Sequence, residues 1–268
     1  APALATPPSI PTSPPVSPAE KILSEELNRA STVFADQPEP PYYISLALQE
    51  NRLIRISAWA DAIEESEEIQ TRHLDTDLRI GSPDLDNTHE NFRHMPSRRT
   101  GTRLPLAGDD QDYSLRHASW RLLDQAFEDS TEAIELIRSR QTTRVESEVQ
   151  APDFELREAT VSRNSIPDLV IDRSIWESRI LEASQLIATD PLVTQSSVSL
   201  RAEQNVDTFV DTEGSRIHHG RVGIRLSLRA QTIADDGEKL TVYRSKDVHQ
   251  TESLDSVDLV AWAQESIE

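Results

Sequence analysis

Hydrophobic and polar residues alternate with period two in some stretches of the chain and recur with helical spacing in others. Ile44, Leu46 and Leu48 alternate with Ser45, Ala47 and Gln49; Ile54, Ile56 and Ala58 repeat the pattern; Leu74, Thr76, Leu78 and Ile80 repeat it again. Half-buried strands alternate in this way because successive side chains leave a strand on opposite faces. The polar quartet "QENR" between the first two runs reads as a turn. The three strands then form an antiparallel meander with one face buried. A related block returns later. "SVSLRAEQN" resembles "YISLALQEN" in its alternation and in its polar turn. Glu213-Gly214 reads as a turn pair. Val222, Ile224, Leu226 and Leu228 mark the next strand, "ADDG" a tight turn, and "LTVYRSK" the returning strand.

Helices lie between these blocks. In "SPAE", Ser17 stands at an N-cap, Pro18 at the first helical position and Glu20 at the capping-box position. Leu23, Leu27, Ala30 and Phe34 then share one face of a helix ending near Ala35. Leu115, Ala118, Leu122, Ala126, Ala133 and Ile137 trace a stripe over residues 112–140. Asp172 caps another helix, with Trp176, Ile180, Ala183 and Ile187 inward. Residues 141–170 read as an extended connector, and a last helix starts after Asp255 or Ser256. The pattern predicts an α+β fold of two antiparallel β-meander units, at about 40–95 and 192–247, with long helices packed on them. The pattern leaves open whether the units form one sheet or two, and whether they arose by duplication.

Ahead of the first helix, residues 1–16 belong to a segment with seven prolines in its first eighteen residues. Such a stretch predicts a disordered, Pro-rich tether. A tether of this kind following a removed signal peptide predicts an exported protein, periplasmic or secreted. The ordered domain is expected over 17–268.

Charge narrows the partners. The 268 residues carry 47 acidic and 27 basic side chains, a net charge of -20, which repels nucleic acid and anionic membranes. No apolar run approaches the roughly 18 residues of a membrane span. Without cysteine there is no disulfide and no thiolate metal ligand. Lys21, Lys239 and Lys246 are the three lysines. Such scarcity fits either a GC-rich genome or adaptation to salt.

Two histidine motifs invite a metal reading. "HENFRH", from His89 to His94 with Glu90 between them, has the letters of a zinc-peptidase helix. Histidines five apart, however, lie about 140° apart around a regular helix. Pro83 and Pro96 flank the stretch, and no apolar stripe accompanies it, so it reads as a polar loop. In "HHG", at His218, His219 and Gly220, adjacent histidines on a strand would point to opposite faces. They read as part of the loop before the Val222 strand. The acidic runs "EESEE" and "GDDQD" read as solvated faces, and "SPDLDN" is a poor calcium loop. No nucleophile elbow or glycine-rich phosphate loop is present. No catalytic, cofactor-binding or metal-ligating residue is assigned.

Four stretches together resemble a known family. "PPYYISLALQE", "RHLDTDLRIGSPDLDNTH", "LPLAGDDQDYSLRHASWRLLDQAFEDSTEAIELI" and "VDTEGSRIHHGRVGIRLSLRAQTIADDGE", in this order, resemble the N-terminal half of TldD/PmbA-type metallopeptidases, in their long, exported bacterial branch. The resemblance runs over roughly 18–268. It implies that a second half, outside this chain, carries the zinc-binding His-Glu-x-x-x-His helix and does the hydrolysis, so zinc is expected only there and no activity is expected of this chain alone. His89 falls in a "DNTH"-like stretch that the resemblance places after the third strand, away from the zinc motif. The implied role is non-catalytic: shaping the peptide-binding tunnel and assembling with the metal-bearing half as a homo- or hetero-oligomer. The alternatives are a stand-alone exported binding or assembly protein without activity, and an enzyme using His89, Glu90 and His94. In the last segment, Leu259, Trp262 and Ile267 are expected to carry apolar surface to a partner.

Overall fold

The computed structural model describes residues 14–89, 103–106, 112–141 and 151–267. Along the chain come α1 (Pro18–Ala35), β1 (Pro41–Trp59), β2 (Ala62–Ser82), β3 (Leu85–Asp86), β4 (Arg103–Leu106) and α2 (Asp112–Gln141). There follow β5 (Val161–Arg163), α3 (Arg173–Ala188), β6 (Gln195–Asp211), β7 (Arg216–Ile233), β8 (Lys239–Val248), α4 (Thr251–Asp255) and α5 (Leu259–Ile267). The fold is α+β, as the alternation predicts. The two meanders are halves of one eight-stranded sheet, ordered β3-β2-β1-β6-β7-β5, with β4 on β2 and β8 on β7. They join through β1 and β6, which pair antiparallel from Ser45 opposite Asp211 to Trp59 opposite Ser197.

Neither polar stretch is a turn. Gln49–Arg52 lies inside β1 and pairs with Asp207–Gln204 inside β6, so that Asn51 stands opposite Asn205. A quartet of polar residues without glycine or proline stays extended when strands on both sides take its backbone hydrogen bonds. The true turn is at Ala60-Asp61. The expected three strands of the first block are therefore two long ones, and β2 runs through the acidic stretch 64–68. Arg55 bonds Glu65 at 3.0 Å and Arg52 bonds Glu68 at 2.7 Å, which lets those carboxylates sit in a strand. The turns at Glu213-Gly214 and Ala234–Gly237 are as expected, with positive φ at Gly214 and Gly237.

Even-numbered positions of the long strands face the helices. At one end, Ile44, Leu46, Leu48, Leu74, Leu78 and Ile80 meet α1 and α2 in one core. At the other, Ile54, Ile56, Val198, Leu200, Ile224 and Leu226 meet α3 and α5 in a second core. Burial of each large side chain contributes roughly 1.5–3 kcal/mol. The helical stripes on α1, α2 and α3 are all buried as predicted. The last segment differs. It holds two helices, and Asp258 rather than Asp255 or Ser256 caps α5, accepting from the Ala261 amide at 3.0 Å. Leu259 and Ala263 are buried in the chain's own second core, and Trp262 packs partly against it. The Ile267 side chain and residues 1–13 of the tether lie outside the described residues.

A polar band separates the two cores on this face, and residues 164–171 cross the sheet along it. Arg52 Nη1 donates to the Leu169 carbonyl and Gln204 Nε2 to the Pro167 carbonyl, both at 2.7 Å. Ile166 sits over Gly220, where any Cβ would meet its methyl groups at 2.9 Å. Ahead of this crossing lies β5, which the sequence reading leaves inside the connector; it pairs parallel with Arg216–His218 of β7.

Ser17 caps α1 as expected, accepting from the Glu20 amide at 3.1 Å. The Glu20 carboxylate does not complete a capping box. It is buried, 2% exposed, and receives Arg163 Nε of β5 at 2.8 Å. Hydrogen bonding by Arg163 holds its pKa below the ordinary 4.5, against the opposing pull of burial.

Two predictions follow from local geometry. Gly81 has φ +109°, and a Cβ there would lie 2.5 Å from the Leu85 carbonyl oxygen. Gly81→Ala is expected to cost roughly 2 kcal/mol or more in urea unfolding. Ala60 holds φ +50°, so Ala60→Gly should leave stability unchanged or raise it by up to about 1 kcal/mol. For the buried pair, Arg163→Ala is expected to cost about 3 kcal/mol at neutral pH, because it strands a buried carboxylate. The folded pKa of Glu20 is depressed, so its stabilisation is complete above 4.5 and fades as pH falls through the lower folded value. Unfolding free energy measured against pH should therefore fall less steeply in the variant on the acid side of 4.5.

Candidate functional site

Odd-numbered strand positions form the opposite face of the sheet, on which no helix packs among the described residues. Its centre is built from the same stretches that form the polar band, because alternate residues of each go to opposite faces. Asn51 Nδ2 donates to Glu203 Oε1 at 2.7 Å and to Asn205 Oδ1 at 2.8 Å. Asn205 Nδ2 reaches the same Glu203 oxygen at 3.3 Å, and Arg201 Nη2 bonds the other at 3.1 Å. Partial burial pushes the Glu203 carboxyl up, but these donors outweigh it and the pKa lies below its ordinary value. Glu203 is therefore a fixed anion, held by three side chains from two strands. It is no proton donor near neutral pH.

Beside this group is a cavity of about 440 Å³, lined among others by Arg201, Glu203, Arg221, Gly223, Asp247 and His249. Arg225, also on its wall, grips Asp247 through Nε at 2.6 Å and Nη2 at 2.9 Å. The cavity opens on this face over β6 and β7, beside the stretch of β7 between the last residue paired with β5, His218, and the first paired with β8, Ile224.

The histidine motifs take other roles. His218 and His219 lie within β7 rather than in a loop before it, and they do point to opposite faces. His218 Nδ1 contacts Thr208 Oγ1 at 2.9 Å beneath the start of α1, and burial lowers its pKa. His219 is on the open face, 3.5 Å from Asp207. His89 Nδ1 contacts Asp153 at 2.8 Å. Glu90 and His94 lie outside the described residues.

The stretch Asp86–His89 is a structural knot. Asp86 accepts from Tyr42 Oη at 2.8 Å, Arg79 Nη1 at 2.9 Å and the Thr88 amide and hydroxyl at 2.6 Å. Asn87 accepts from the Ile80 amide and donates to the Leu78 carbonyl and to Ser130 of α2. The Phe154 ring covers the Arg79 guanidinium at 4.1 Å and packs on Tyr43 at 4.7 Å, closing one end of the open face. Burial there raises the Asp77 carboxyl, against the pull of Arg79.

The residues described do not fit zinc: no three His, Cys, Asp or Glu side chains among them gather so as to hold a metal ion.

No protein-family model and no curated protein matches the chain. Solved structures do. A candidate modulator of a DNA gyrase from Thermotoga maritima superimposes with a TM-score of 0.58 at 8% identity, over 91% of this chain and 46% of that one. A candidate modulator of DNA gyrase from Bacteroides thetaiotaomicron gives 0.52 at 9% identity, over 92% and 48%. The fold is TldD/PmbA-like. At such identities the likeness is one of fold, and the chain spans about half the length of the solved structures it matches.

Within this TldD/PmbA-like fold, sequence reasoning misses the open-face group because Asn51, Glu203 and Asn205 fall in the stretches read as turns. A signal was present. The alternating apolar series on both sides of each polar stretch keep one parity, Ile44, Leu46 and Leu48 with Ile54, Ile56 and Ala58, and Val198, Leu200 and Ala202 with Val210, as a single uninterrupted strand requires.

Asn51→Ala removes one donor from Glu203. The Glu203 carboxyl is then expected to titrate at higher pH than in the parent protein, toward its ordinary range, in a side-chain carbon NMR titration. An unmoved titration would show that Asn51 does not help fix the anion.

Proposed function

We propose that this chain is the non-catalytic N-terminal portion of a TldD/PmbA-like metallopeptidase. In this reading its open polar face walls a peptide-binding tunnel, and it assembles with a metal-bearing half that performs the hydrolysis. The observation that supports it most is the match in fold: nine-tenths of this chain correspond to less than half of a much longer protein. The open face agrees with this reading. It is wide and polar, and it carries a fixed anion and a cavity, features suited to contact with an extended peptide backbone. Export to the periplasm or beyond is part of the same proposal and rests on the proline-rich segment 1–16.

The test is to mix the full chain with a metal-bearing TldD/PmbA-like polypeptide from the same genome. Co-elution in size-exclusion chromatography is expected, together with chelator-sensitive cleavage of unfolded peptides by the mixture. Chelator-sensitive cleavage by this chain alone would overturn the non-catalytic assignment. Failure to co-elute would replace it with a stand-alone binding module.

A further inference from the structure

The outer edge of β7 has a break. Strand β5 accompanies it through His218, and β8 begins opposite Ile224. Residues 219–223 have no strand beside them on that side among the described residues, and the cavity of about 440 Å³, whose wall includes Arg221 and Gly223, opens next to this stretch on the sheet's open face. Extended backbone with a vacant side accepts another extended segment by main-chain hydrogen bonding.

Two side-chain features point to what that segment carries. Arg201 and Arg225, on the cavity wall, are each matched by a carboxylate, Glu203 and Asp247. Arg221 has no ion-pair partner among the described residues, in a chain with 47 acidic and 27 basic side chains. An unmatched guanidinium among matched ones is placed to receive a carboxylate, which it can hold through two parallel hydrogen bonds. Gly223 is the second feature. Glycine inside a strand costs about 0.5–1 kcal/mol relative to alanine. Here neither backbone nor packing requires it: φ is not positive, and a Cβ would meet nothing within 4 Å. A glycine that the fold does not need, facing an open cavity, fits the close approach of another backbone.

We propose that the gap at residues 219–223 of β7 binds an extended peptide segment bearing a carboxylate, with Arg221 holding the carboxylate and the peptide backbone passing over Gly223. This deepens the peptide-walling reading by naming the chemistry of one subsite, and it rests on that reading. The carboxylate is an aspartate side chain within the segment, because Arg221 stands in the middle of the gap, with unaccompanied backbone on both sides of it.

The test uses the full chain alone, without any catalytic partner, so its failure is distinguishable from a failure to assemble. Fluorescein-labelled Thr-Val-Asp-Val-Thr with an amidated C-terminus, its Asn counterpart, and the Asn peptide with a free C-terminus are titrated by fluorescence anisotropy. At least tenfold tighter binding of the Asp peptide over both Asn peptides is expected; a preference for the Asn peptide with a free C-terminus would overturn the side-chain assignment. Arg221→Gln should remove that preference while leaving the urea midpoint unchanged, and Arg229→Gln, an exposed arginine of β7 outside the cavity wall, should keep it. Gly223→Val should weaken every peptide at least tenfold. Equal binding of all three peptides, or equal effects of the Arg221 and Arg229 substitutions, would overturn the carboxylate assignment. Unchanged binding in Gly223→Val would overturn the placement of the backbone.

Discussion

The architecture depends on a band of polar side chains crossing the middle of the sheet, between two hydrophobic cores that never merge. Four long strands, each of 17 to 21 residues, span both cores. A strand of that length cannot be covered by one layer of short helices. The protein covers it with two helix groups and leaves a lane between them, in which an irregular segment must bring its carbonyls close to the sheet. Buried carbonyls need donors. Arg52 and Gln204 supply them from neighbouring positions on the paired central strands. Glu50 holds Arg72 at 2.8 Å in the same band. Without Arg52, the carbonyl of buried Leu169 would lose its partner, at a cost of about 1–3 kcal/mol if left unpaired.

The same band explains why the chain reads as two similar halves. A helix, a short connection and two long antiparallel strands occur twice, as α1-β1-β2 and as α3-β6-β7. The inner strands meet antiparallel with Asn51 opposite Asn205 and Arg52 opposite Gln204, so the two polar stretches meet at the centre of the sheet. Each stretch then serves both faces. Glu50, Arg52 and Gln204 support the lane under the helices; Asn51, Glu203 and Asn205 build the hydrogen-bonded group on the open face. The open-face group and the lane are thus two outcomes of one register, and a slip of one residue would exchange them and bury the wrong set.

Periodicity made the helices and the alternating strands legible, because both are local signals carried by apolar residues. Trp176, Ile180, Ala183 and Ile187 could occupy little else than one helical face. The polar stretches were another matter. Whether Gln49–Arg52 turns or continues is decided by the strands beside it, and these are about 20 and 154 residues away in sequence. Whether the glutamates at 64–68 are solvated or paired is decided by Arg52 and Arg55 on the neighbouring strand. Three-residue β5 has no periodicity to detect, and its anchor is a buried ion pair between Arg163 and Glu20, 143 residues apart. The candidate site was illegible for the same reason: its residues acquire meaning only when β1, β6 and β7 lie side by side.

Long open sheets carry a hazard, since every unpaired edge can recruit another strand. The outer edge of β2 is unaccompanied from Ala62 to Thr71 among the described residues. It carries Glu64, Glu65, Glu67 and Glu68, and Arg173 of α3 donates to the Ser66 carbonyl, taking one acceptor from that edge. The outer strand β8 carries Lys239, Arg244 and Lys246, and charged side chains, lysine above all, disfavour the joining of an edge to another strand. Charge and capping thus discourage each edge from joining its own kind. The break in β7 is treated differently. It is short, it faces a cavity, and it holds a glycine and an arginine without a matching carboxylate. An edge that was merely left over would carry the protections seen at β2. The departure from those protections over five residues, in a chain that guards its other edges with charge, is what separates a docking position from an exposed strand.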